Sequence, residues 1–161
     1  MTSGAALLVV SAAAATVTAL GWLRRRYLIV AVRGDSMLPA LREGDVLLAR
    51  RRRSGDIRVG DIAVASWPVP VAADEPQPRM VKRIVAVAGD PVPDCVRKAA
   101  EAVPAEVAVA VAAASAAPEV VPTGFVIVLG DNGGYDSRVF GLLSADRVLA
   151  VVVRRLPVGR R

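Results

Sequence analysis

Met80-Val81-Lys82-Arg83-Ile84-Val85-Ala86-Val87-Ala88-Gly89-Asp90 is an apolar, partly β-branched run closed by a Gly-Asp turn. It has no helical period and reads as a strand with one lysine set among apolar neighbours. The same grammar recurs outward along the chain. Tyr27–Arg33, Asp45–Ala49, Asp61–Ser66, Phe125–Leu129 and Arg147–Arg155 are further apolar runs, punctuated by Gly44-Asp45, Gly60-Asp61 and Gly130-Asp131. Short strands separated by such turns predict a mainly β fold, a compact antiparallel sheet or barrel-like domain over residues 27–161. Almost no helical periodicity follows Tyr27; only Leu142-Leu143-Ser144-Ala145-Asp146 reads as the start of a short helical turn. Pro91 to Pro122, rich in Pro, Ala, Val and Glu, reads as an irregular β excursion or cap inserted between core strands.

Absent residues narrow the chemistry. The 161-residue chain has no histidine, which excludes a Ser-His-Asp triad and histidine-ligated metal. Its one cysteine, Cys95, reads as a free thiol and excludes an internal disulfide. No phosphate-binding glycine motif is present, because Gly130-Asp131-Asn132-Gly133-Gly134 follows a strand with no helical pattern after it. No cofactor or metal is expected. Aromatics make up 4% of the chain, too few for stacking on single-stranded nucleic acid, and the arginines are scattered. The net charge of +6 points instead to an anionic membrane surface.

Ala5 to Leu23 carries no charge and as a helix would reach about 28 Å, close to the thickness of a hydrocarbon core. Trp22 and Tyr27 bracket Arg24-Arg25-Arg26 as interfacial anchors would. Residues 1–26 are therefore expected to be a single membrane anchor with a basic flank. A cleaved signal peptide would normally begin with a basic region, which is missing here. The three arginines after the span place the body in the cytoplasm by the positive-inside rule, whereas the activity inferred below needs it outside. The basic loop Arg50–Arg58 reads first as a solvated turn and second as a contact for anionic head groups.

Lys82 matters because only two of the 21 basic residues are lysines. Arginine keeps its proton in a protein, whereas a desolvated lysine can lose it and act as a base. Gly34-Asp35-Ser36-Met37-Leu38-Pro39 supplies a serine in a tight turn after an apolar strand. Gly130-Asp131-Asn132, then Asp136-Ser137-Arg138, form a third block. In order, spacing and position after an apolar N-terminal segment, these blocks resemble the bacterial type I signal peptidases, membrane-anchored serine proteases with a Ser-Lys dyad.

The resemblance covers nearly all of residues 27–156 and implies a largely β catalytic domain of coiled antiparallel sheets. It assigns Ser36 as nucleophile and Lys82 as general base. Met37 and Pro39 shape the nucleophile turn, and Arg83 follows the base. Asp131, Asp136, Ser137 and Arg138 brace the site. Two departures stand out. Gly34 occupies a position where many relatives place a hydroxyl that aids the oxyanion, which leaves that task to the Ser36 N–H. Gly134 stands nearest to where relatives place a lysine-orienting serine, with Ser137 as the substitute. By resemblance the partners are preprotein signal peptides and the lipid bilayer. Cleavage would follow small side chains on the extracytoplasmic side. Two other readings stay open: a self-cleaving Ser-Lys regulator of similar fold, and a membrane-tethered β domain that binds peptides without cutting them.

Overall fold

The computed structural model describes residues 16–51, 56–68, 77–102 and 118–157. Helix α1, described over residues 16–26, leads into β1 (Tyr27–Ala31). There follow β2 (Val46–Arg51), β3 (Ile62–Ser66), β4 (Arg79–Val87), α2 (Asp94–Ala102), β5 (Phe125–Leu129), α3 (Ser137–Phe140), β6 (Leu143–Ser144), a 3-10 turn (Ala145–Arg147) and β7 (Val148–Leu156). All seven strands form one sheet in the order β1-β2-β7-β3-β4-β5-β6, and every neighbouring pair is antiparallel. The sheet is open, with β1 and β6 as its edges. Register shifts at Leu48/Ala49, Val64/Ala65 and Ile84/Ala86 mark bulges, which raise the local twist and coil a sheet upon itself. The mainly β expectation holds, with an open coiled sheet as its form.

Period-two patterning organises β4. Met80, Lys82, Ile84 and Ala86 are buried, while the residues between them are more exposed. The strand changes partners along its length. Arg79–Arg83 pair with β3, and pairing with β5 begins only at Arg83. The edge of Arg79–Lys82 away from β3 is thus unpaired by any described strand.

The core is divided by the sheet. Ala63, Ala65, Met80, Ile84, Val128 and Phe140 belong to one buried cluster, whereas Val64 packs with Ala49 and Ala150 in another. Strand β3 is therefore buried on both faces, which explains its unbroken apolar run. A third cluster holds Val32, Met37, Leu41 and Leu47 and fastens the segment after β1 to the sheet.

Two helices correct the expectation that little helix follows Tyr27. Among the described residues of Pro91–Pro122, the β character is a single bridge between Pro91 and Val120, and Asp94–Ala102 is helical. Good helix formers fill α2, and Val96 anchors it beside Ala86, Val92, Val121 and Ile127. Flanking prolines obscured so short a helix in the sequence. Residues 103–117, with the whole of the apolar stretch Val107–Ala117, lie outside the described residues. Helix α3 is discussed with the site. The short helical turn expected to start over Leu142–Asp146 is found only from Ala145, as the 3-10 turn Ala145–Arg147, because Leu143–Ser144 pairs with β5 as β6.

No helix among the described residues is long and apolar enough to cross a membrane. Most of the expected anchor, Ala5–Leu23, lies outside those residues, and its described part is helical and exposed. Within the basic loop, residues 52–55 are likewise outside them.

Candidate active site

The nucleophile turn is built from its apolar residue outward. Met37 is buried against Val32, Leu41 and Leu47, which fixes the neighbouring serine from one side. Leu38 N–H donates to Asp35 O at 2.9 Å and Leu41 N–H to Met37 O at 2.8 Å. The Leu38-Pro39 peptide is cis. Gly34 has φ 79°, a left-handed conformation that a hydroxyl-bearing residue would adopt only with strain. From across the sheet, Asn132 N–H donates to Ser36 O at 2.9 Å, and Asn132 Nδ2 donates to Asp35 O at 3.3 Å. Asn132 is thus a clamp on the serine turn, a role its place in the third block did not reveal.

Lys82 enters from the buried face of β4 and is 4% exposed. No described residue gives it a hydrogen bond or ion pair. Burial pushes its pKa below the ordinary lysine value; Asp136 opposes that shift and Arg138 adds to it. Two glycines bring Ser36 and Lys82 together. A methyl placed on Gly134 would lie 3.2 Å from Ser36 Cβ and 3.4 Å from Lys82 Nζ. One placed on Gly130 would lie 2.7 Å from Ser36 O and 3.1 Å from Lys82 Nζ. Both side chains therefore sit against the same loop, and only glycine leaves them room.

The third block braces this loop. Asp136 is fully buried, and Oδ2 accepts the Gly130 N–H at 2.9 Å while Oδ1 accepts the Arg138 N–H at 3.0 Å. The second bond caps α3, which explains how a four-residue helix forms here. The Arg138 guanidinium grips the same carboxylate and also reaches Gly130 O at 3.2 Å. Burial pushes the Asp136 carboxyl up, but the Arg138 hydrogen bond and the two N–H donors outweigh it and hold the pKa low. The ion pair gives Lys82 a neighbour with no net charge. Ser137 Oγ accepts the Val128 N–H at 3.0 Å, and no hydrogen bond joins it to Lys82. On the opposite face of β4, Arg83 makes two bonds to Asp131, 2.8 and 2.7 Å, and one to Gly60 O at 3.2 Å. This contact lowers the Asp131 pKa and raises that of Arg83.

Ser36 and Lys82 open onto a cleft of about 370 Å³. Val30 to Met37 form one wall and Arg79 to Lys82 another. Trp67 and Tyr135 complete the lining. Their rings stack at 4.3 Å with 7° between planes, and Phe140 leans on Tyr135 at 5.3 Å. Sequence reasoning missed this stack. The available signal was scarcity: half of the chain's aromatic residues gather at one end of one cleft.

Among the described residues no cluster of His, Cys, Asp and Glu could hold a metal ion, and Cys95 is a free, exposed thiol. The arrangement offers a hydroxyl beside a desolvated amine in an open groove, which is the equipment for acyl transfer.

The family model for signal peptidase, peptidase S26, matches residues 3–156. No curated protein matches the chain. A crystal structure of a signal peptidase I from Enterococcus faecalis V583 is similar, with 21% identity, 60% of this chain and 96% of that chain covered, and a TM-score of 0.37. The chain belongs to the peptidase S26 family of signal peptidases.

Proposed function

We propose that this member of the signal peptidase family is a membrane-bound serine endopeptidase that removes signal peptides from secreted preproteins after small residues, with Ser36 as nucleophile and neutral Lys82 as general base. The observation that carries the reading is the packing of Ser36 and Lys82 against Gly134, with the amine buried and unpaired among the described residues. A free lysine is neutral in only about one molecule in 2,500 at pH 7. A working base needs its pKa lowered, and burial acts on Lys82 in that direction.

In this mechanism Ser36 Oγ attacks the scissile carbonyl carbon as its proton passes to Lys82 Nζ. The oxyanion is met by the Ser36 N–H, which has no backbone acceptor among the described residues. The Lys82 ammonium then protonates the leaving amine, and an ester remains on Ser36. Lys82, neutral again, takes a proton from water, which attacks the ester and releases the new carboxyl terminus.

The substrate would lie extended between two unpaired edges, that of β1 and that of Arg79–Lys82 of β4. Main-chain pairing would supply affinity, and the narrow apolar cleft would favour small side chains. The domain would face the extracytoplasmic side, where signal peptides end. Gly134 fits an active enzyme, because the space a side chain would need is already taken by the two reacting groups.

The test is cleavage of a preprotein with small residues before the cut, in detergent. Wild type should cut, whereas Ser36→Ala, Lys82→Ala and Lys82→Arg should not. Unchanged cleavage by Lys82→Arg would dismiss the neutral amine. The rate should rise with pH through a pKa below the ordinary lysine value of about 10.4. Linkage supplies a second readout. Because the folded pKa is depressed, the cost of burying the charged form is complete below it and is relieved as pH climbs toward the unfolded value. Lys82→Met should therefore stabilise the fold more at neutral pH than above about pH 10.5.

A further inference from the structure

The loop that touches Ser36 and Lys82 is Gly133-Gly134-Tyr135, between Asn132 and Asp136. Both glycines take left-handed φ values, 80° and 95°, and glycine restrains a backbone least of all residues. Among the described residues no backbone hydrogen bond holds Gly134 or Tyr135. The segment closest to the reacting pair therefore has the weakest main-chain support.

The Tyr135 ring supplies what the backbone lacks. It stacks on Trp67 at 4.3 Å with 7° between planes, and buried Phe140 leans on it at 5.3 Å. Trp67 is a fixed platform directly after β3. Its N–H donates to Pro78 O at 2.9 Å, and its carbonyl accepts Arg147 Nη1 at 2.5 Å. Both rings pack on the buried cluster that includes Ala65 and Met80, and both line the cleft. A ring at the end of β3 thus holds the neighbour of Gly134, where an added methyl would lie 3.2 Å from Ser36 Cβ and 3.4 Å from Lys82 Nζ.

We propose that Trp67 is a positioning residue for the cleavage reaction: by stacking on Tyr135 it presses Gly134 against Ser36 and Lys82, sets the approach of hydroxyl to amine, and closes the amine to water. The placement rests on the Ser-Lys reading above and deepens it. Two consequences separate such a brace from a plain core contact. Releasing Gly134 would spoil the geometry of proton transfer, so kcat should fall while KM holds. It would also admit water to Lys82, whose pKa is held down first by burial, and let it titrate nearer the ordinary lysine value. Asp136 and Arg138 are the charged groups that act on Lys82, and their ion pair does not involve the rings. A direct contact of the rings with substrate would do the reverse, raising KM and leaving the amine alone.

The test uses the full chain in detergent, with Trp22→Phe and Lys98→Arg, so that Trp67 is the one tryptophan and Lys82 the one lysine. Isotope-labelled lysine then reports the Lys82 titration by NMR without turnover. Near-UV circular dichroism reports the ring pair, and preprotein cleavage gives kcat and KM. Trp67→Leu and Tyr135→Leu should each remove the ring-pair signal and move both the Lys82 titration and the acid limb of the rate to higher pH. Each should lower kcat by roughly 10- to 100-fold with KM within about twofold. The double variant should lose no more than the worse single, because both changes delete one contact. Trp67→Phe should recover most of the rate. Folded leucine variants with wild-type kcat and an unmoved Lys82 titration would overturn the brace. So would a rise in KM alone, which would give the rings to the substrate, or multiplied losses in the double variant. If a leucine variant does not fold, Trp67→Met, an unbranched side chain without a ring, is measured in the same way and decided by the same outcomes. A shifted titration with no cleavage by any form, wild type included, would keep the brace and remove the protease. Cleavage with the titration unmoved would remove the brace alone.

Discussion

Gly89-Asp90 and Gly130-Asp131 are the same dipeptide after two strands of the same sheet, yet they are wired differently. At Gly89 the glycine N–H reaches a neighbouring segment at Val121 O, 2.9 Å away. Asp90 turns back on its own strand, accepting the Val87 N–H at 2.9 Å. Gly44-Asp45 and Gly60-Asp61 repeat this pattern, with carboxylates accepting Arg42 N–H and Arg58 N–H. At Gly130 the tasks are redistributed. The glycine N–H goes to Asp136, and the strand N–H three residues before the aspartate, that of Val128, goes to Ser137. Asp131 is thereby released to hold Arg83 across the sheet. A turn that caps itself only reverses the chain. One capped by its neighbours can be pressed against Ser36 and Lys82.

The contrast can be broken experimentally, and the largest effect should come from the outsourced cap. Asp136→Ala removes the acceptor of Gly130, Arg138 and the start of α3, and leaves Arg138 without its partner. Thermal or urea unfolding should show a loss of about 3 kcal/mol, the lower end for breaking a buried pair because Arg138 is partly exposed. Wild-type stability from this carboxylate should be present above the ordinary carboxylate range and vanish as pH falls through its depressed folded pKa. A stability loss that does not shrink in acid would contradict the assigned ionisation.

Next comes Gly130→Ala. Its methyl would fall 2.2 Å from Gly133 O and 2.7 Å from Ser36 O, so backbone must move. Displacing Ser36 by a fraction of an ångström to an ångström should cut kcat/KM by roughly 100-fold. Activity near wild type would show that the loop does not position the serine.

Gly89→Ala sharpens the comparison from the other side. Its methyl meets nothing within 4 Å, but φ 92° is strained for alanine. Stability should fall by about 1 to 2 kcal/mol with the folded enzyme's kcat/KM unchanged. The smallest change is expected for Asp131→Asn, which weakens a partly exposed pair and should cost under about 1 kcal/mol in unfolding measurements. A larger loss would mean that Arg83 braces the serine loop more than its exposure suggests.

These turns also mark how far the sequence could be read. Every expected strand is present within a few residues, because β-branched runs and Gly-Asp turns are local signals. Ser36 and Lys82 were legible because each is chemically out of place: a serine in a tight turn, and a lysine in a chain of arginines. The different wiring of Gly130-Asp131 was invisible, since it depends on Asp136 and Ser137 folding back, and α3 exists only through that contact. The partner exchange along β4 and the Trp67–Tyr135 stack were hidden for the same reason. Both join residues far apart in the chain, and pairing order leaves no trace in residue type.

The partner exchange at Arg83 divides β4 in a way that solvent can read. In heavy water the amides of Ile84–Val87 that point to β5 should trade protons slowly. Those of Arg79–Lys82 that point away from β3 should trade quickly, within the same strand. A bound peptide that fills the missing place should slow the second set and leave the first alone, so that one strand reports occupancy of the cleft without any label or turnover.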